Sequence, residues 1–135
     1  MTRVLLVEDH EGIREGLRRI LVQADDVVLA GEAKTAEEAL KKAPESRCYV
    51  VLLDISLPGG DGFWTMQRLR TLMPELRVIM LSSYPEAQYA VRALVAGAVG
   101  YLAKESAPDE LIPAIREVAR GGRYVSPSFT EMLPP

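Results

Sequence analysis

Several short apolar runs in this chain break off at residues that can do chemistry. Val4–Val7 is followed by Glu8 and Asp9, Tyr49–Leu53 by Asp54, Leu76–Leu81 by Ser82 and Ser83, and Val99–Leu102, after Ala103, by Lys104. Ligands of open parallel sheets bind beyond the carboxyl ends of the strands, so these are the positions to read for function. If the first and third runs are neighbouring strands, about 4.8 Å apart, Glu8, Asp9 and Asp54 converge. At about 5 Å and an effective dielectric near 20, each pair of such carboxylates repels by roughly 3 kcal/mol. A cluster of this kind calls for a cation. With oxygen donors and no soft ligands, the fitting ion is a hard divalent one such as Mg2+, which also takes phosphate oxygens. Asp54 is then placed to attack phosphorus as a nucleophile. Lys104 supplies a point charge, and Ser82 a hydroxyl, for the oxygens of the transferred group. In the loop Leu57-Pro58-Gly59-Gly60-Asp61-Gly62, the glycines let backbone N–H groups approach an anion.

These residues need a scaffold, and the apolar pattern supplies one. Short β-branched runs alternate with stretches of helical period, the signature of strand–helix units around a buried parallel sheet. Val27–Ala30 is the fifth run. Ile13, Leu17, Ile20, Leu21 and Ala24 form the stripe of a first helix whose other face carries Arg14, Glu15, Arg18 and Arg19. Thr35 and Glu38 start a second helix as a capping box, and Pro44 is expected to stop it. A third lies between Gly62 and Pro74, a fourth runs from near Pro85 to Gly97, and a fifth from Pro108 to Gly121-Gly122. Pro113 predicts a kink or a late start in the last of these. Residues 1–121 read as one domain and 122–135 as a tail or the start of a linker, too short for two more packed helices.

Composition narrows the function classes. The 135 residues are 48% hydrophobic and 26% charged, with a formal net charge of -3, which gives no electrostatic reason to expect a polyanion as partner. The basic residues Arg14, Arg18, Arg19, Lys41, Lys42, Arg68 and Arg70 are interleaved with acids and read as solvated faces, not as a nucleic-acid track. The single Cys48 and the single His10 exclude a zinc cluster and an internal disulfide. No apolar run reaches the roughly 18 residues of a spanning helix, and the expectation is a cytoplasmic chain without membrane contact.

Taken together, Leu6-Val7-Glu8-Asp9-His10, Leu53-Asp54, the Leu57–Gly62 loop, Ser82 and Gly100-Tyr101-Leu102-Ala103-Lys104 resemble the response-regulator receiver domain of two-component systems, over nearly the whole chain and in order. The resemblance implies a flavodoxin-like (βα)5 fold, a doubly wound five-stranded parallel sheet in the order 2-1-3-4-5. It implies Asp54 as phosphoacceptor, and Glu8, Asp9, Asp54 and the Ser56 backbone carbonyl as ligands of Mg2+. It further implies Lys104 and Ser82 as the partners of the phosphoryl group, and Ser82 and Tyr101 as the switch pair. A histidine kinase would be the donor and a homodimer a consequence of phosphorylation. Asp9-His10 with Arg14, Lys104-Glu105-Ser106 and Gly121–Pro127 resemble the NarL/FixJ (LuxR-type) branch. That branch normally continues into a helix-turn-helix output domain, so DNA binding and transcription control would belong to a module outside these residues. Glu105 stands where other branches commonly have proline, so the resemblance does not imply their dimer mode.

Each residue also has a plainer reading. Glu8-Asp9 taken alone could cap a helix, Lys104 could be a surface lysine, Tyr101 an ordinary strand aromatic, and Ser83 a helix cap. Two other functions fit parts of the pattern: a receiver-fold interaction module that needs no phosphate, and a small phosphohydrolase. A dehalogenase-type phosphatase needs a second acid two positions after the nucleophile, where this chain has Ser56. The expectation is therefore a switch that assists its own phosphorylation rather than a turnover enzyme.

Overall fold

A computed structural model describes residues 1–59, 61–83 and 87–126, without the side chains of 87 and 88. Six parallel strands, β1 (Thr2–Val7), β2 (Val27–Ala33), β3 (Val50–Asp54), β4 (Arg77–Ser82), β5 (Gly100–Ala103) and β6 (Tyr124–Val125), form one sheet in the order β2-β1-β3-β4-β5-β6. The expected order 2-1-3-4-5 is present with one strand added at the edge. Residues 124–125, read from sequence as tail, pair with β5 through Gly100↔Tyr124 and Tyr101↔Val125. Among the described residues, no helix is long and apolar enough to cross a membrane.

The helices α1 (Glu11–Leu21), α2 (Ala36–Ser46), α3 (Gly62–Leu72), α4 (Ala87–Ala96) and α5 (Ala107–Ala119) alternate with the strands and divide between the two faces of the sheet. Side chains alternate along a strand. Thus Leu5, Val7, Val51, Leu53, Val78, Met80 and Tyr101 pack with Ala39, Ala43, Met66, Leu69, Ala90 and Ala93 of α2, α3 and α4. Val4, Leu6, Val50, Leu52, Ile79, Leu81 and Leu102 pack on the other face with Leu17, Leu21, Leu111, Ile115 and Val118 of α1 and α5. The three central strands are buried on both faces, which is why they read as unbroken apolar runs. Each fully buried Leu or Val contributes about 1.5–3 kcal/mol.

Three local expectations are corrected. Pro44 does not stop α2. It lies in the last turn, and the helix ends beyond it at Arg47, in the left-handed region at φ 54. A proline there forfeits only one late hydrogen bond, while the Ser46 hydroxyl donates to the Ala43 carbonyl at 3.0 Å. Pro113 does not delay the start of α5, which begins at Ala107 and carries Leu111, Ala114, Ile115 and Val118 into the core; burial of that stripe outweighs the lost donor. Arg14 is not on the solvated face of α1. It is 6% exposed, on the same side as Leu17 and Leu21.

Candidate functional site

The register of the sheet brings the polar strand ends together. Val7 pairs with Leu53, so Glu8 follows β1 beside Asp54 at the end of β3; Asp54 pairs with Leu81, and Ser82 with Ala103. Glu8, Asp9 and Asp54 each bring one carboxylate oxygen within 4.8 Å of the others. Glu8 is fully buried and Asp54 is 3% exposed, whereas Asp9 faces solvent. Lys104, in a 3-10 turn at residues Lys104–Ser106, reaches back between the buried pair. Its Nζ lies 2.6 Å from Glu8 Oε1 and 3.2 Å from Asp54 Oδ1. Ser82 is buried at the end of β4.

The electrostatics follow from burial. Loss of hydration raises the Asp54 carboxyl from 3.8 to about 6; the Glu8 charge adds to the rise, and the Ser56 N–H and the Lys104 ammonium oppose it. The Ser56 N–H donates to Asp54 Oδ1 at 3.0 Å. Burial alone would lower the Lys104 pKa, but Glu8 and Asp54 outweigh it and the net shift is upward. The ammonium bridges the two buried carboxylates. Three carboxylates of mixed exposure, one open to water, are a donor set suited to a hard cation that keeps part of its hydration.

The acid loop is held in detail. The Glu8 backbone N–H donates to the Ala33 carbonyl at 3.0 Å, and Glu8 Oε2 accepts the His10 N–H at 3.0 Å. His10 itself caps α1, its Nδ1 accepting the Ile13 N–H at 3.1 Å; the cap is this imidazole rather than the preceding acids. Arg14 donates from Nη1 to the Glu8 carbonyl at 3.0 Å, and its Nε lies 3.3 Å from Glu32 Oε1. Sequence reasoning missed Glu32 and, although it named Arg14, missed the tie of that residue to the acid loop. The spacing of Arg14, Leu17 and Leu21 already placed the arginine on the buried stripe, but its charge had assigned it to solvent.

The loop after β3 also differs from expectation. Gly62 does not offer its N–H to an anion, because that group donates to the Ile55 carbonyl at 2.8 Å. Glycine is required there for close approach. A Cβ would lie 2.7 Å from Ile55 Cα and 2.8 Å from the Asp54 carbonyl oxygen. Gly60 lies outside the described residues, as does the helix start that Ser83 was expected to cap. Gly62→Ala is expected to cost about 1–3 kcal/mol by forcing the end of β3 to move, seen as a lower urea midpoint. Gly16→Ala, on the exposed side of α1 with open space around it, should instead gain up to about 1 kcal/mol.

Residues 4–116 match the family described as response regulator receiver domain. The chain belongs to that family. It is 39% identical over 133 residues to the response regulator GacA of Pseudomonas protegens, covering 98% of this chain and 62% of the relative. It is 37% identical to the response regulator UvrY of Escherichia coli K12, covering 98% and 61%. A LuxR-family two-component response regulator from Aurantimonas sp. SI85-9A1 superposes with a TM-score of 0.91 at 32% identity, covering 97% of this chain and 94% of that one. The chain thus spans about 62% of the length of the curated relatives. As a receiver, it is a phosphorylation-activated signalling domain. A groove of about 530 Å³ opens beside the site between α1 and the start of α5, lined by Ile13, Leu17, Ile20, Ser82, Lys104 and Pro108 among others.

Proposed function

We propose that Asp54 accepts a phosphoryl group from a histidine kinase and that the resulting charge switches the surface this domain offers to other proteins. The observation that carries the reading is the buried Glu8–Lys104–Asp54 arrangement at the carboxyl end of the sheet. In it, the Asp54 carboxylate of raised basicity sits beside a cation and the buried Glu8, with Asp9 close by at the surface. Near pH 7 Asp54 is mostly ionised, because its pKa of about 6 lies below that pH. A carboxylate oxygen attacks phosphorus, the bond from phosphorus to the donor imidazole breaks, and the imidazole leaves with its electron pair. Lys104, released from Asp54, pairs with an oxygen of the arriving group, and Ser82 donates its hydroxyl to another. Glu8, Asp9, Asp54 and the Ser56 carbonyl would hold Mg2+, the ion that receivers bind. When bound, it supplies charge neutralisation for the phosphoryl oxygens and the facing acids.

Movement of Ser82 toward the phosphoryl group and repacking of Tyr101 would carry the change to α4 and β5. This biases an existing equilibrium and favours a homodimer or a new contact with an output domain. Control of transcription, through DNA bound by such a domain rather than by residues 1–121, is the cellular role we infer. The setting is cytoplasmic, and the activity is signalling rather than turnover.

The test is intact-protein mass after incubation with a small-molecule phosphodonor. A Mg2+-dependent gain of one phosphoryl group, absent in Asp54→Asn, is expected. A folded protein that gains nothing would favour the phosphate-independent interaction module. Many equivalents of phosphate released from the donor would favour the phosphohydrolase.

A further inference from the structure

We infer that Arg14 is a positioning residue for the cation site, fixing the peptide that joins Glu8 to Asp9 so that both carboxylates face one point. The inference rests on the reading of these acids as a divalent-ion site. A peptide unit is planar, so the direction of the Glu8 carbonyl sets the orientation of the backbone on both sides of it. That carbonyl accepts the Arg14 Nη1–H at 3.0 Å, while the Glu8 N–H is tied to Ala33 on β2 and Glu8 Oε2 to the His10 N–H. The arginine is the one of these ties that reaches the acid loop from a side chain of α1.

Its own anchor lies elsewhere. Arg14 Nε sits 3.3 Å from Glu32 Oε1. The same carboxylate is gripped by Arg18 through Nε and Nη2 at 3.0 and 2.8 Å, and Lys42 Nζ donates to the Glu32 backbone carbonyl at 2.7 Å. Burial of a guanidinium is costly unless it is paired. Here the pairing group is already satisfied by Arg18, so Glu32 does not need Arg14 to hold α1 against β2. What Arg14 adds is the bond to Glu8. The planar guanidinium bonds the Glu8 carbonyl while its Nε lies beside the Glu32 carboxylate, a reach that a single ammonium does not reproduce.

The arrangement separates two roles that one variant would confuse. Arg18→Met removes most of the α1–β2 staple and leaves the Glu8 carbonyl bonded. Arg14→Met removes the bond to Glu8 and leaves Glu32 with Arg18. Arg14→Lys keeps a charge beside Glu32 without the fork. Mn2+ is the probe, with the free ion counted by electron paramagnetic resonance, and urea unfolding is run on the same samples. Outer partners of metal ligands typically account for a factor of about 10–100 in affinity. Both Arg14 variants are therefore expected to bind Mn2+ about tenfold more weakly than the parent, and Arg18→Met to bind it as the parent does while unfolding at lower urea.

Should Arg14→Met fail to fold, Arg14→Lys carries the test. Arg14 variants that lose stability but keep the parent's Mn2+ affinity would overturn the positioning role and leave a structural tie. Equal weakening in Arg18→Met would overturn it as well, because the effect would then belong to the α1–β2 contact. A parent chain that binds no Mn2+ would overturn the reading of the acids as a cation site, and the role of Arg14 with it.

Discussion

Replacing Lys104 with methionine is expected to separate the two tasks of that residue, slowing phosphoryl uptake by about 100- to 1000-fold while making the apo domain dependent on Mg2+ for stability. The first figure is the usual effect of removing one preorganised donor to developing oxyanion charge. The second effect follows from the geometry. The ammonium lies 2.6 Å from Glu8 and 3.2 Å from Asp54, and both carboxylates are almost wholly buried. Breaking a buried ion pair by removing one partner costs about 3–5 kcal/mol, because the other charge is left without compensation. Methionine keeps most of the length and the packing of the stem, so the loss reports charge. A divalent ion restores what the ammonium supplied, and it binds the variant without displacing a competitor. Urea unfolding with and without saturating Mg2+ should show a larger stabilisation by the ion in Lys104→Met than in the parent. Intact mass over time gives the rate of uptake. Phosphorylation at the parent rate would remove Lys104 from the transfer chemistry.

The elements that position this site were legible where burial and period agree. Val4–Val7 and Val50–Leu53 are buried on both faces, so their apolar runs end where the sheet ends, and the chemistry begins at the next residue or at the last one. Asp54, Glu8 and Lys104 were found that way. Misreadings arose where a residue's type pointed away from its neighbours. Arg14 carries a charge but shares the buried stripe of Leu17 and Leu21. Pro44 is tolerated in the last turn of α2, where little hydrogen bonding is lost, and Pro113 lies inside α5 among the buried Leu111, Ala114 and Ile115. Tyr124–Val125 was passed over because two residues carry no period; it is the open edge of β5 that gives them partners. The bond from Arg14 to the Glu8 carbonyl has no sequence signature, since it depends on where a main-chain oxygen points.

The raised pKa of Asp54 has a consequence for stability whose sign is opposite to that of most protein carboxylates. Its folded value of about 6 lies above the ordinary 3.8, so between those limits the folded state binds more protons than the unfolded chain. Stability therefore falls as pH rises through that window and is level, for this group, above it. About 2 pK units correspond to a cost of about 3 kcal/mol for ionising Asp54 in the folded protein without a divalent ion. Glu32 acts the other way, since Arg18 above all lowers its pKa, and its contribution is lost at acid pH. The pH profile of the parent alone is thus a sum of opposed terms, and the difference between the parent and Asp54→Asn isolates the one of interest. The amide carries no charge to bury, and Lys104 keeps Glu8 as its partner. Asp54→Asn is expected to be more stable than the parent by about 1–3 kcal/mol at pH 7, with the gap closing toward pH 4. Saturating Mg2+ should narrow the gap at pH 7 by stabilising the parent more than the variant. Urea denaturation at a series of pH values, with and without the ion, measures both. A variant less stable than the parent at pH 7, or a gap independent of pH, would show that the Asp54 charge does not carry this cost.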